Sequence, residues 1–116
     1  MSSFDPMAAA IDWLDAYRAK ALSIVELYAE DAALECACGG AKVLHGRTAI
    51  AEYWRQRFAE KPAGELTDIH PEGDYVVVGY RVPDCVVQAI LRFNSEGKIR
   101  FSICGPAVAD VAALRR

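Results

Sequence analysis

Apolar residues recur at helical spacing near the start of the chain, at Met7, Ile11, Leu14 and Tyr17 or Arg18, with Trp13 alongside. Asp5-Pro6 ahead of them supplies a capping acceptor and a first-turn proline, so a helix is predicted from there. A second, short helix is predicted from Ser23, where Ser23 and Glu26 have capping-box spacing. It carries Ile24, Val25, Leu27 and Tyr28 and ends at Asp31. The period then falls to two. Residues 32–38 read as a strand with Leu34, Cys36 and Cys38 on one face, broken by Gly39-Gly40. Gly46-Arg47-Thr48 and the spacing of Ile50, Tyr53, Trp54 and Phe58 predict a third helix, which stops before Pro62.

Beyond Pro62 the alternation belongs to strands, at residues 65–70, 75–82, 85–93 and 98–104. Turns are expected at Pro71-Glu72-Gly73-Asp74, Pro83-Asp84 and Asn94-Ser95-Glu96-Gly97. Closing the last turn at Asn94–Gly97 would set Leu91 opposite Arg100 and Arg92 opposite Ile99. Residues 107–116 either add a last helical turn or fray. Three helices followed by a meander predict an α+β domain with an antiparallel sheet.

Composition narrows the function classes. The 116 residues fit one domain, 1–116, and 53% apolar residues are enough for a packed core. A net charge of −3 argues against nucleic acid as a partner, which needs clustered Lys and Arg. The longest apolar runs, 75–80 and 86–91, are strand-sized, so no membrane span is expected. Met-Ser-Ser-Phe-Asp lacks the basic and apolar regions of an export signal. The expected location is therefore the cytoplasm, with Cys36, Cys38, Cys85 and Cys104 reduced.

Three segments carry a resemblance. They are Val25-Glu26-Leu27-Tyr28-Ala29-Glu30-Asp31-Ala32-Ala33-Leu34-Glu35, Gly46-Arg47-Thr48-Ala49-Ile50-Ala51-Glu52-Tyr53-Trp54, and Leu91-Arg92-Phe93-Asn94-Ser95-Glu96-Gly97-Lys98-Ile99. Together with the order of elements, the chain resembles the nuclear-transport-factor-2-like superfamily, which includes the ketosteroid isomerases and SnoaL-like polyketide cyclases. The resemblance implies a cone-shaped, cystatin-like α+β roll: a curved antiparallel sheet wrapped around a long helix, with three N-terminal helices. It also implies a conical apolar pocket, and a homodimer through the outer face of the sheet.

Ketosteroid isomerases use an Asp base with Tyr and protonated Asp as oxyanion donors. In this chain the base position, after Leu34-Glu35, is Cys36. The donor Asp position is Ala89, and the donor Tyr falls near Asp12, with Trp13 next to it. None matches, so steroid isomerisation is not expected.

No catalytic set stands out, and Asp12, Cys36 and His70 are candidates. Cys36 is either a thiol active through a lowered pKa or a small apolar core residue. Cys36-x-Cys38 lacks the spacing and partners of a zinc site, so no metal is expected. Asp12 and Asp15 lie either at the pocket mouth or on the solvated face of the first helix. His70 matters only if its ring turns inward; His45 reads as a loop residue. Glu35 falls on the face opposite Cys36. Of Arg81, Arg92 and Arg100, the last two should lie on opposite faces.

The expected pocket is lined by Trp13, Tyr17, Cys36, Cys38, Trp54, Phe58, Ala89 and Leu91. Trp54 offers an apolar wall with one N–H donor, or simply packs. Tyr28, Tyr53 and Tyr80 add hydroxyls. Ala89, small where relatives carry an acid, favours a small, flat or aliphatic apolar ligand, without a cofactor. Two functions stay open. One is a cofactor-independent enzyme of isomerase, cyclase or hydrolase type. The other is a non-catalytic ligand-binding or dimerisation module. A buried acid or base with a displaced pKa would separate them.

Overall fold

Asp5 accepts the backbone N–H of Met7 at 3.0 Å and Pro6 occupies the first turn, so helix α1 (Pro6–Arg18) begins where the sequence predicts. This computed structural model describes residues 4–36, 42–83 and 85–106. Cys38, the Gly39-Gly40 break, Asp84 and the tail 107–116 therefore lie outside the described residues.

The buried stripe of α1 is Ala10, Trp13, Leu14 and Tyr17. Ile11, expected on that face, is 43% exposed. The helix is rotated toward Trp13 and Tyr17 because these large rings bury the most apolar surface.

The next segment corrects the sequence reading. Leu22–Leu27 is a 3-10 helix with Ala21 as its cap and no side-chain capping bond, so the Ser23–Glu26 box does not form. Strand β1 (Tyr28–Cys36) starts earlier than expected and takes in Asp31. Tyr28 is the reason: its hydroxyl is buried between Trp13 Nε1 and Ser102 Oγ, each at 3.2 Å, which draws the chain into the sheet. A short strand not anticipated, β2 (Lys42–His45), pairs antiparallel with β1 and includes His45. Helix α2 (Arg47–Glu60) ends before Pro62 as predicted.

The meander follows as β3 (Leu66–Glu72), β4 (Tyr75–Val82), β5 (Cys85–Phe93) and β6 (Ile99–Pro106). The six strands form one curved sheet in the order β2-β1-β6-β5-β4-β3. It is mixed, not antiparallel throughout, because β1 runs parallel to β6. Three successive hairpins fix the direction of β6, and β1 joins its free edge in the same sense. Register shifts in three strand pairs bend the sheet.

One of those shifts overturns the expected register of the last hairpin. Asn94 Oδ1 accepts the N–H groups of Glu96 and Lys98, and Phe93 pairs with Ile99. Arg100 is then bulged out, leaving Arg92 opposite Phe101 and Leu91 opposite Ser102. Both α-helices contribute to a single core with the inner sheet face, joining Trp13, Tyr17, Trp54 and Phe58 to Val78, Tyr80, Ala89 and Cys104. No helix among the described residues is long and apolar enough to cross a membrane.

Candidate functional site

Helix α2 buries Ile50, Trp54, Arg57 and Phe58. The spacing i, i+4, i+7, i+8 is that of an apolar face, with arginine at the third position. Arg57 is 5% exposed. Sequence reading passed over it, because an arginine on a helix is ordinarily solvated. Its place in the apolar period is the signal that could have found it.

Around it stands an aromatic cluster from three elements. Tyr17 of α1 meets Trp54 of α2 with ring centroids 4.8 Å apart and Tyr80 of β4 at 5.3 Å. Trp13 meets Trp54 at 5.8 Å and Tyr80 at 5.9 Å. The contacts are edge-to-face, the arrangement that ring quadrupoles favour. The rings fill most of the interior. A cavity of about 10 Å³ remains, lined by Trp13, Trp54, Tyr53, Tyr80, Ala89, Ser102 and Cys104 among others. That is room for about one water molecule.

Polar atoms in this interior fall into two groups. Some are satisfied: Trp13 Nε1 donates to Tyr28, Tyr28 and Ser102 share a hydrogen bond, and Tyr53 Oη lies 3.4 Å from Cys104 Sγ. Arg57 Nε donates to Tyr17 Oη, and Tyr17 donates to the carbonyl of Lys61. Others are buried with no hydrogen-bond partner: Trp54 Nε1, Arg57 Nη2 and Tyr80 Oη; Gln88 Oε1 of β5 is also unpartnered but lies on the sheet face opposite Ala89.

The phenols hold their protons. Burial pushes Tyr28 up to about 12, partly offset by Ser102, Trp13 and the nearby indole N–H of Trp54, which closes no hydrogen bond of good geometry. Burial likewise raises Tyr17, Tyr53 and Tyr80. Burial disfavours the charge on Arg57, but a guanidinium keeps its proton in a protein, and it stays cationic. The cluster is thus a set of donors around one fixed positive charge.

The structure brings together part of the expected pocket. Trp13, Trp54 and Ala89 line the cavity. Tyr17 and Phe58 pack against Trp54 beside it. Leu91 is fully buried in the core but is not on the cavity wall. Cys36 is half-buried at the end of β1, opposite Cys104 in register and outside the wall, and Cys38 lies outside the described residues.

The acid–base candidates sit elsewhere. Asp12 and Asp15 are exposed on α1, since the turn of the helix that buries Trp13 and Leu14 faces them to solvent. His70 lies on β3 with its side chain 41% exposed, Nδ1 2.8 Å from Asp68 and Nε2 3.5 Å from Glu72. Two carboxylates hold its ring on the solvent side. Arg81 pairs with Glu65, and Arg92 pairs with Asp74 over the ring of Tyr75. Arg100 is exposed. Among the described residues no cluster of three or more potential metal ligands occurs.

Comparison with known proteins agrees with this architecture. Residues 9–102 match the family described as SnoaL-like domain. The fold is similar to the crystal structure of a SnoaL-like protein of unknown function from Burkholderia thailandensis, with a TM-score of 0.76 at 18% identity, covering 89% of this chain and 95% of that one. No curated protein matches the sequence.

Proposed function

The chain belongs to the SnoaL-like domain family, and on that premise we propose that it binds a small organic molecule in the space enclosed by α1, α2 and the inner sheet face. One observation carries this reading: Trp54 Nε1, Arg57 Nη2 and Tyr80 Oη are buried around one cluster with no partner. Each orphaned donor costs about 1–3 kcal/mol. An interior selected for packing alone would place apolar atoms there, so these donors are best explained by a molecule that supplies acceptors. The aromatic walls suit a flat or aliphatic body. The cavity is smaller than such a body, so binding displaces a wall side chain. Tyr53 is the half-buried ring on that wall.

Binding is favoured over turnover. Among the described residues the cavity wall carries no carboxylate or imidazole, and the surrounding hydroxyls keep their protons. Cys36 and Ala89, at the positions aligned with a steroid isomerase's base and donor, cannot supply that chemistry. In this reading the protein works in the cytoplasm without a cofactor. It forms a homodimer through the outer sheet face, where register sets the half-buried Ile90 beside Ile103.

Native mass spectrometry of the purified full chain tests the proposal. The expected result is a noncovalent adduct that is lost on denaturation, or thermal stabilisation by members of a panel of small organic compounds. Bare protein with no stabilising compound would contradict it.

A further inference from the structure

Arg57 is a cation buried without a counter-anion. Its Nε is engaged with Tyr17, Nη2 has no partner, and among the described residues no carboxylate lies within ion-pair distance. Its guanidinium carbon sits 6.0 Å from the ring centroids of both Tyr17 and Tyr53. Ring faces compensate a cation weakly compared with a carboxylate. Tyr80 Oη, 0% exposed, lies beside Arg57 without closing a hydrogen bond of good geometry, and its ring forms part of the cavity wall. A buried charge left in this state is costly unless something completes its shell.

The missing partner must accept hydrogen bonds from Arg57 Nη2 and Tyr80 and carry negative charge. We infer that the site takes an organic monocarboxylate, its acid group on Arg57 and Tyr80 and its hydrocarbon body against Trp54 and Trp13. A carboxylate matches the planar donor fork of arginine. One arginine supplies a single positive charge, which balances a monoanion and not a dianionic phosphate. The inference rests on the ligand-binding reading above and adds the charge of the ligand.

Isothermal titration of the full-length protein at constant ionic strength tests it, with two acid–amide pairs: acetate with acetamide and benzoate with benzamide. The acid of at least one pair is expected to bind about tenfold or more tightly than its amide, the size of a charge-assisted hydrogen bond. Arg57→Gln should erase that preference. Tyr80→Phe, which keeps the ring, should reduce it several-fold, and it decides the matter alone if Arg57→Gln does not fold. Acid and amide binding equally, or an acid preference unchanged in Tyr80→Phe, overturns the charge assignment while leaving the ligand site in place. If neither acids nor amides bind, both readings fall.

Discussion

Arg57 Nε donates to Tyr17 Oη at 2.8 Å, tying the last turn of α2 to the last turn of α1. Tyr17 in turn donates to the carbonyl of Lys61, which caps the C-terminus of α2. One hydroxyl therefore holds two helix ends together and positions the guanidinium whose other arm stays unpaired. Tyr17→Phe keeps the ring contacts and removes only this link. It should destabilise the protein by about 1–3 kcal/mol, because it strips a partner from a buried charge. Urea denaturation measures the loss; a change below about 0.5 kcal/mol would mean that the link is not structural.

Alkaline stability follows from the buried phenols. Tyr28 is raised to about 12 and Tyr17, Tyr53 and Tyr80 are raised as well, all chiefly by burial. An unfolded chain releases these protons near pH 10, whereas the folded chain retains them. Above that pH the unfolded state binds fewer protons, so stability is full below about pH 10 and falls as pH rises toward about 12. Tyrosinate absorbance and circular dichroism should change together over that interval. Ionisation of all these tyrosines in a protein that remains folded would contradict their burial.

Gly97 has φ +81°, and a Cβ there would lie 2.9 Å from the ring of Phe4, which packs on Phe93 with centroids 5.1 Å apart. Gly97→Ala meets both backbone strain and this ring, and should cost about 1–2 kcal/mol. Gly73→Ala, at φ +63° with nothing within 4 Å, should show the backbone part alone. Thermal melts that rank Gly73→Ala as the more harmful would refute the contact with Phe4.

Much of this fold was legible in the sequence. Asp5-Pro6 and the α2 period act locally, and the two helices formed as read; the chain also turns at Gly73 and Gly97, but β3 runs on through Pro71 and Glu72 and the register beyond Gly97 is shifted. Tyr28 shows where local reading fails. Leu27-Tyr28-Ala29 suits a helix as well as a strand, and hydrogen bonds to Trp13 and Ser102, 15 and 74 residues away, decide it. The parallel pairing of β1 with β6 is likewise nonlocal. The site was legible in part. The inward direction of Trp54 and Ala89 follows from the apolar period, whereas Arg57 has the same direction and the wrong chemistry for that rule. The expected open cone depended on side-chain volumes, and Trp13, Tyr17, Trp54 and Tyr80 together occupy most of it.

Dimerisation through the sheet can be checked separately from ligand binding. Ile90 and Ile103 are paired neighbours on β5 and β6, and both are half-buried. Sedimentation equilibrium should give twice the 12.7 kDa chain mass at micromolar concentration. Ile90→Glu should shift the protein to monomer while leaving helix content unchanged. A wild-type monomer at that concentration would remove the dimer from the account.

The indole N–H resonances of the two tryptophans test the central claim most directly. Trp13 Nε1 is bonded to Tyr28, whereas Trp54 Nε1 is buried without a partner, so the two report on different states. During titration with acetate and benzoate, followed by proton–nitrogen correlation spectra, the Trp54 signal should move saturably and that of Trp13 much less. A Trp54 signal that stays fixed throughout, with these acids and with their neutral amides, would contradict a ligand site in the interior.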